Sequence, residues 1–452
     1  MEAPPDPEST LRSRAFVGVL VLAAVIGVIA SLAAWAFLEL IFYIQQWVFT
    51  DIPKDLGFSH GAPLWWYLPV LAFAGLVTAF AIARLPGTGG HIPAEGLKAS
   101  PTRPIDLPGV ILAAIASIGL GLVVGPEAPL IALGGGLGFL MVRSLRKDAP
   151  PQLGMLLATS ATFAAVSFLF GSPIIAAVIL IEAAGLGGSR MPLVLIPGLL
   201  AAGIGSLVSI GMGSLTGLST ANIALSPLHL AAFARPDFVD FLWTIPFAAA
   251  IAVVTFVIFR LGREAQRIAT PRPFIVLPAI GLLVAGLGIA FHQTADHGVN
   301  EVLFSGQTAI GPLVANPGAW SLSALALLIA FKGVAYGLSV GAFRGGPTFP
   351  AMFLGAAAGL MAGHLPGFET TPAVAVGLGA AVVAVLRLPL SAVVLATLFT
   401  LNSGVGAEPL IILGVVVAYL TVQALGGPAD SQEPAEKAVP PREAEPVAMA
   451  SG

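Results

Sequence analysis

Apolar residues recur along this chain in runs, and the runs are broken by glycine and proline rather than by charge. The run Phe16–Phe49 is interrupted only by Glu39 and a few polar residues. At about 1.5 Å per residue such a helix outruns a hydrocarbon core of roughly 30 Å, so it has to tilt. Trp65–Ala83 predicts a second span. Shorter apolar pieces follow at 109–123, 128–142, 152–170, 173–185 and 191–212, then at 237–259, 274–292, 319–340, 350–363, 371–386, 389–401 and 409–425. Many are too short for a perpendicular crossing. The breaks between them carry Gly125-Pro126, Gly171-Ser172-Pro173, Gly345-Gly346-Pro347 and Leu388-Pro389. Interrupted backbone is tolerated at membrane depth only where protein or a wet cavity surrounds it. The pattern therefore predicts an all-α integral membrane bundle of many tilted, half-length helices.

Charge sharpens the picture. Asp, Glu, Lys and Arg make up 10% of the chain, against about 25% in a soluble domain. Of the 43 charged side chains, 12 fall in residues 1–14 and 428–452, leaving 31 for the 413 residues between. A body this poor in charge has too little polar surface to face water all round. A soluble enzyme and a nucleic-acid partner are excluded, the second also by a net charge of −3 with no basic footprint. The start is acidic and Pro-rich, unlike a secretory signal. Basic loops fall at Arg12/Arg14, Arg84–Arg103, Arg143/Arg146/Lys147 and Arg260–Arg272, while 50–63, 213–235 and 294–318 are poor in Lys and Arg. With the N-terminus cytoplasmic, the first two spans and 237–259 put these groups on opposite faces.

The chain repeats itself. Gly125–Gly134 matches Gly346–Gly355, an offset of 221, and each match runs on to a further glycine, Gly138 and Gly359. Ala164–Ile181 resembles Val382–Leu398, with Pro173 opposite Pro389, an offset of 216. Interrupted helices at matching positions of two halves point to a transport site. Proline suits a helix's first turn and glycine permits close approach, so Gly125–Pro129 and Gly346–Pro350 predict buried helix starts. Unpaired N–H groups and the positive end of the helix dipole make such a start an anion site. The Gly-rich segment Gly87–Pro93, leading toward 109–123, predicts a third. The anion-binding candidates are Thr88, Gly89, Gly90, His91, Ile92, Gly125, Ala128, Gly346, Thr348 and Phe349. Glu127 is the only ionisable side chain between Asp106 and Arg143. A carboxylate at bilayer depth is costly and usually functional. On the same helix start as an anion, it would compete when ionised and leave when protonated, acting as a gate.

Other charged or polar positions read as structural: Lys332 as a snorkelling or paired charge, His91 equally as a loop histidine held by backbone, Glu408-Pro409 as a surface helix start, and Arg260–Arg272 as a cytoplasmic anchor. With no cysteine and six scattered His, no metal site is expected. No Ser/His/Asp cluster points to a membrane-embedded enzyme.

These motifs resemble the CLC family of chloride channels and proton-coupled chloride transporters. GPEAP at 125–129 is similar to the family's G-K/R-E-G-P, and RGGPTFPAMFLGAAAG at 344–359 to its G-G-x-F-x-P…GA…G. GGHIPAEG at 89–96 resembles its G-S-G-I-P-E; FGSPIIAAVILIE at 170–182 and VGLGAAVVAVLRLPLSAVV at 376–394 match further family helices. The resemblance covers about 14–427. It implies a CLC-like bundle in two inverted repeats (roughly 15–212 and 237–427), anion-binding helix ends near the midplane, a homodimer with one pore per subunit, no cofactor beyond the transported chloride, and an inner or plasma membrane location. Residues 1–14 would form a cytoplasmic tail and 428–452 a disordered one with no regulatory domain. Glu127 falls on the family's gating glutamate. There are departures. Pro126 replaces the basic residue before that glutamate, and Gly90 the central Ser, with Thr88 nearby as a substitute. Pro347 lacks an amide donor, and the pore Tyr has no counterpart. The inner proton glutamate falls on Ala183, beside Glu182, which remains the candidate for a proton path. These departures favour a chloride channel; a proton/chloride antiporter with a non-standard internal path is the alternative.

Overall fold

The computed structural model describes residues 9, 11–59, 61–96, 102–145, 150–185, 188, 191–216 and 227–426. The proposed C-terminal tail, most of the N-terminal one and Lys147 lie outside these residues. Fourteen α-helices of ten or more residues make up the described bundle, and no strand occurs among the described residues. The first half contains α1 (Arg14–Gln46), α2 (Tyr67–Arg84), α3 (Leu107–Gly119), α4 (Glu127–Leu145), α5 (Pro151–Phe170), α6 (Pro173–Ala183) and α7 (Met191–Thr216). The second contains α8 (Phe238–Ala269), α9 (Pro273–Ala295), α10 (Leu322–Ala342), α11 (Thr348–Ala362), α12 (Thr370–Leu386), α13 (Pro389–Phe399) and α14 (Glu408–Ala424).

Nine of the described helical segments are long and apolar enough to cross a membrane. The first, extended by a π-helical turn at Trp47–Asp51, runs over 42 residues from Arg14 to Asp55. That is roughly 60 Å of helix, twice the hydrocarbon thickness, and only a steep tilt accommodates it. Between the long spans lie α3, α6, α11, α12 and α13, each of 17 residues or fewer. α11 and α12 are almost wholly buried. The chain is a multi-pass integral membrane protein, and α11 and α12 lie buried within it.

Both halves pack alike. α4 lies on α5 as α11 lies on α12, α5 on α7 as α12 on α14, and α6 meets α13 across the two halves. The repeated glycines explain the closeness. A Cβ on Gly134 would stand 2.8 Å from Ala161 O, and one on Gly138 2.6 Å from Ala158 Cα. Gly355 and Gly359 face the backbone of Gly377 and Val374 just as tightly. Without a hydrophobic drive between helices in lipid, this small-residue contact is the source of packing energy. The turn that ends α5 at Gly171 (φ 62°) recurs after α12 at Arg387 (φ 58°), at the 216-residue offset seen in the sequence.

The Gly-rich segment Gly87–Pro93, the third expected helix start, is followed at 97–101 by residues outside those described. Gly87, Thr88, Gly89 and Gly90 all take positive φ (77°, 49°, 73° and 96°), which no right-handed helix accommodates. The segment forms a tight turn at Pro86–Gly89 and a 3₁₀ turn at Pro93–Glu95, and the next α-helix among the described residues starts at Leu107.

Candidate functional site

The two matching Gly-Pro segments meet. Gly125 N–H donates to Gly346 O at 2.7 Å and Gly346 N–H donates back to Gly125 O, an antiparallel pair between halves. Immediately beyond it α4 begins at Glu127 and α11 at Thr348. Two helix N-termini are thus held against one another deep in the protein. Pro126 and Pro347 precede them and carry no N–H, so the first free donors are those of the helices themselves.

The Glu127 side chain crosses this junction. It is 2% exposed. Its Oε1 accepts the backbone N–H of Thr348 at the start of α11. Its Oε2 is buried with no hydrogen-bond partner among the described residues. A Cβ on Gly125 or on Gly346 would overlap the carboxyl group, so both glycines are there to make room for it. The first-half acid therefore occupies the N-terminus of the second-half helix, where amide donors and the helix dipole favour negative charge. Its carboxylate stands where a small free anion would be held by the same amides.

A reciprocal pair of serines fixes the approach. Ser339 Oγ on α10 accepts the N–H of Val123, and Ser117 Oγ on α3 accepts the N–H of Arg344, at 3.2 and 3.3 Å. Each half thus holds the strand of backbone that leads into the other half's helix. Both serines are fully buried. Tyr336, also fully buried, donates its hydroxyl to Pro347 O at 2.6 Å, steadying the residue before Thr348. Phe349 stacks on Phe170, ring centroids 5.6 Å apart, closing the α11 start against the end of α5. Tyr336, Ser117 and Ser339 are not singled out by the sequence reading. The signal for Tyr336 is there: it is one of four tyrosines in the chain and sits inside an apolar run.

The candidate residues fall into two groups. Gly125, Glu127, Gly346, Thr348 and Phe349 come together, with Ala128 in the first turn of α4. Thr88, Gly89, Gly90, His91 and Ile92 lie on the 3₁₀ segment, packed along the start of α3: a Cβ on Gly89 would meet Ala113, and one on Gly90 would meet Val110. The Thr88 side chain is exposed and its hydroxyl donates to Gly87 O at 2.9 Å. Its carbonyl accepts from Arg344 Nε at 3.2 Å, and this is the link to the paired segments. His91 Nε2 pairs with Gly96 O, so its ring is engaged within its own turn.

Glu182 is set apart from Glu127, at the end of α6. Its carboxylate accepts Leu390 N–H (3.0 Å), Ser391 N–H (2.7 Å) and Ser391 Oγ–H (2.6 Å), capping the start of α13. A first-half acid on a second-half helix start thus occurs twice. In the first half Ser172 does this service for α6 from its own chain position. Lys332 is wholly buried on α10. Its Nζ donates to the carbonyls of Glu301, Val302, Leu303 and Phe304 at 2.9 to 3.3 Å and lies 4.4 Å from the Phe353 ring centroid.

The sequence profile of the family described as "Voltage gated chloride channel" matches residues 74–423. Relatives of the chain include the "Putative ion-transport protein YfeO" of Shigella boydii serotype 4 (strain Sb227) and that of Escherichia coli (strain K12 / DH10B). Each is 29% identical over 352 residues, 76% of this chain and 78% of the relative. Among solved structures, a slow cyanobacterial Cl-/H+ antiporter superposes with a TM-score of 0.72 at 19% identity, over 91% of this chain and 95% of that one. A CLC-type fluoride/proton antiporter superposes at 0.64 and 16%, over 90% and 96%. The profile covers more than three quarters of the residues. The chain belongs to the voltage-gated chloride channel (CLC) family of ion-transport proteins.

Proposed function

We propose that this protein is a chloride channel of the CLC type, a homodimer in the cell membrane that conducts a small anion past a glutamate gate. The observation that carries the reading is the Glu127 carboxyl group on the Thr348 amide. A site that attracts one carboxylate oxygen with backbone donors attracts a halide by the same means, and the two exclude each other. Amide dipoles hold an anion without full positive charges, so binding is weak enough for release. Ionised Glu127 closes the path; protonation removes its charge from the helix start and lets the anion in.

A passive path is favoured over coupled exchange by what lies on the inner half of the proton route. Ala183 stands where the resemblance expects an acid, and Glu182 beside it is engaged by three donors at the start of α13. A carboxylate so committed is a poor shuttle. The second reading, a proton/anion antiporter, is favoured by the solved relatives, two of which are described as antiporters. Chloride and proton fluxes measured together on purified protein in sealed vesicles separate the two. A channel gives chloride efflux without proton uptake against a pH gradient. Proton movement stoichiometric with chloride would replace the channel reading by the antiporter one.

A further inference from the structure

Among the described residues only two cations are buried, Lys332 and Arg344. Lys332 is spent, since four carbonyls surround its Nζ. Arg344 is not. It stands on the segment between α10 and α11, 6% exposed, with its backbone N–H held by Ser117 Oγ. Its Nε donates to Thr88 O and its Nη1 to Phe343 O, each at 3.2 Å. Its Nη2 has no hydrogen-bond partner among the described residues, and it is not sealed in as the unpartnered Glu127 Oε2 is. A buried charge is costly unless its donors are satisfied. This guanidinium has N–H groups to spare on an edge that an ion can reach.

The guanidinium lies on the inner side of the Gly-Pro junction. Thr88 belongs to the basic segment Arg84–Arg103, and Glu95 of that segment accepts Gln266 Nε2 of the basic segment Arg260–Arg272 at 3.1 Å. Both segments mark the cytoplasmic face. Arg344 comes two residues before Gly346, which makes room for the Glu127 carboxyl group, so no more than about 7 Å of backbone separates the two positions. The turn Gly87–Gly90, all at positive φ, carries the Thr88 carbonyl to the guanidinium. Glu95 is the acid that acts on Arg344 electrostatically. Its Oε1 is engaged by Gln266, its Oε2 lies 4.0 Å from His91 Nδ1, and among the described residues no ion pair joins it to Arg344.

We propose that Arg344 is an anion-binding residue whose Nη2 receives a small, halide-class anion entering from the cytoplasmic face, one step before Glu127. The donors at the helix starts are neutral amides; a guanidinium offers charge-assisted hydrogen bonds, which are stronger. The site therefore holds its ion at neutral pH, while Glu127 still occupies the start of α11. The inference rests on the anion-conducting reading above, but binding is measured without conduction, so the two fail separately.

The test is bromide binding to the purified protein at pH 7.5, read from the rise in thermal midpoint as bromide replaces gluconate at constant ionic strength. Wild type should be stabilised in a saturable way. Arg344→Gln, which keeps a donor for Thr88 O and loses the charge, should bind bromide about ten- to hundredfold more weakly, the order for one charge-assisted hydrogen bond. Arg344→Lys, which keeps the charge and loses the planar fork, should fall between the two. A residue that merely tied Thr88 to the junction would lower the midpoint of Arg344→Gln without changing its bromide dependence. Should Arg344→Gln fail to fold, wild-type crystals grown in bromide at pH 7.5 decide the matter, with an anomalous peak expected within hydrogen-bond distance of Nη2. No peak at Nη2, or equal bromide dependence in wild type and Arg344→Gln, overturns the site while leaving Glu127 in place. Bromide bound at Arg344 in a protein that passes no anion would uphold the site and remove the conduction reading instead.

Discussion

Glu127→Gln should raise chloride flux at neutral pH by about tenfold or more and flatten its pH dependence. In the wild type the carboxyl group lies on the Thr348 amide, between two glycines whose missing Cβ leaves room for it. A hydrogen bond to an ionised acceptor is worth about 1.5–3 kcal/mol net, and each 1.4 kcal/mol is a factor of ten in occupancy. Glutamine keeps the shape and loses the charge, so it yields the helix start to a halide that the glutamate would exclude. Wild-type flux should rise as pH falls, because protonation makes the same change reversibly. Glu127→Ala, which empties the seat, should conduct at least as fast. Efflux from vesicles between pH 4 and 8 checks all three. Equal flux and equal pH response in wild type and variants would take Glu127 out of the mechanism.

Lys332→Met should be destabilising, by about 1–3 kcal/mol or more, the cost of leaving buried acceptors without their donor. Methionine matches the length and apolar stem of lysine but offers no donor to the four carbonyls at 301–304. Buried carbonyls left without donors keep their desolvation cost. The thermal midpoint in detergent should fall by several degrees or more, and the 299–309 segment should exchange its amide hydrogens faster. A melt indistinguishable from wild type would mean that the carbonyls find other donors, and that Lys332 does not organise the 301–304 segment.

Much of this architecture is legible in the residues alone, for identifiable reasons. Membrane embedding follows from missing charge. The duplicated halves follow from Gly-Pro pairs whose spacing is kept by steric need, since Gly134 and Gly355 admit a neighbouring helix while Gly125 and Gly346 admit the carboxyl group. The meeting of Glu127 with Thr348 is half visible: both helix starts can be named, but the acid's choice of the other half's amide depends on the antiparallel pairing of the two segments. Backbone-mediated contacts are not visible. Ser117 and Ser339 act on N–H groups of Arg344 and Val123, and an amide donor leaves no residue-type signature in the sequence. At the third expected helix start, the four successive positive-φ residues from Gly87 to Gly90 look, in composition, like any other glycine-rich segment, so their turn geometry is not visible in the sequence. Lys332 is expected to snorkel or pair with a charge; it is instead fully buried on four carbonyls, partners set by a turn geometry that a sequence does not spell out.

Conduction past Glu127 requires that the amides at the start of α11 hold a free anion once Glu127 gives up its charge. Bromide scatters anomalously and substitutes for chloride, so crystals of Glu127→Gln grown in bromide test it directly. The prediction is an anomalous peak within hydrogen-bond distance of the Thr348 and Phe349 amides in the variant, and none there in the wild type at neutral pH. A variant with no bromide at those amides, or a wild type with bromide bound beside an undisplaced Glu127, would contradict it.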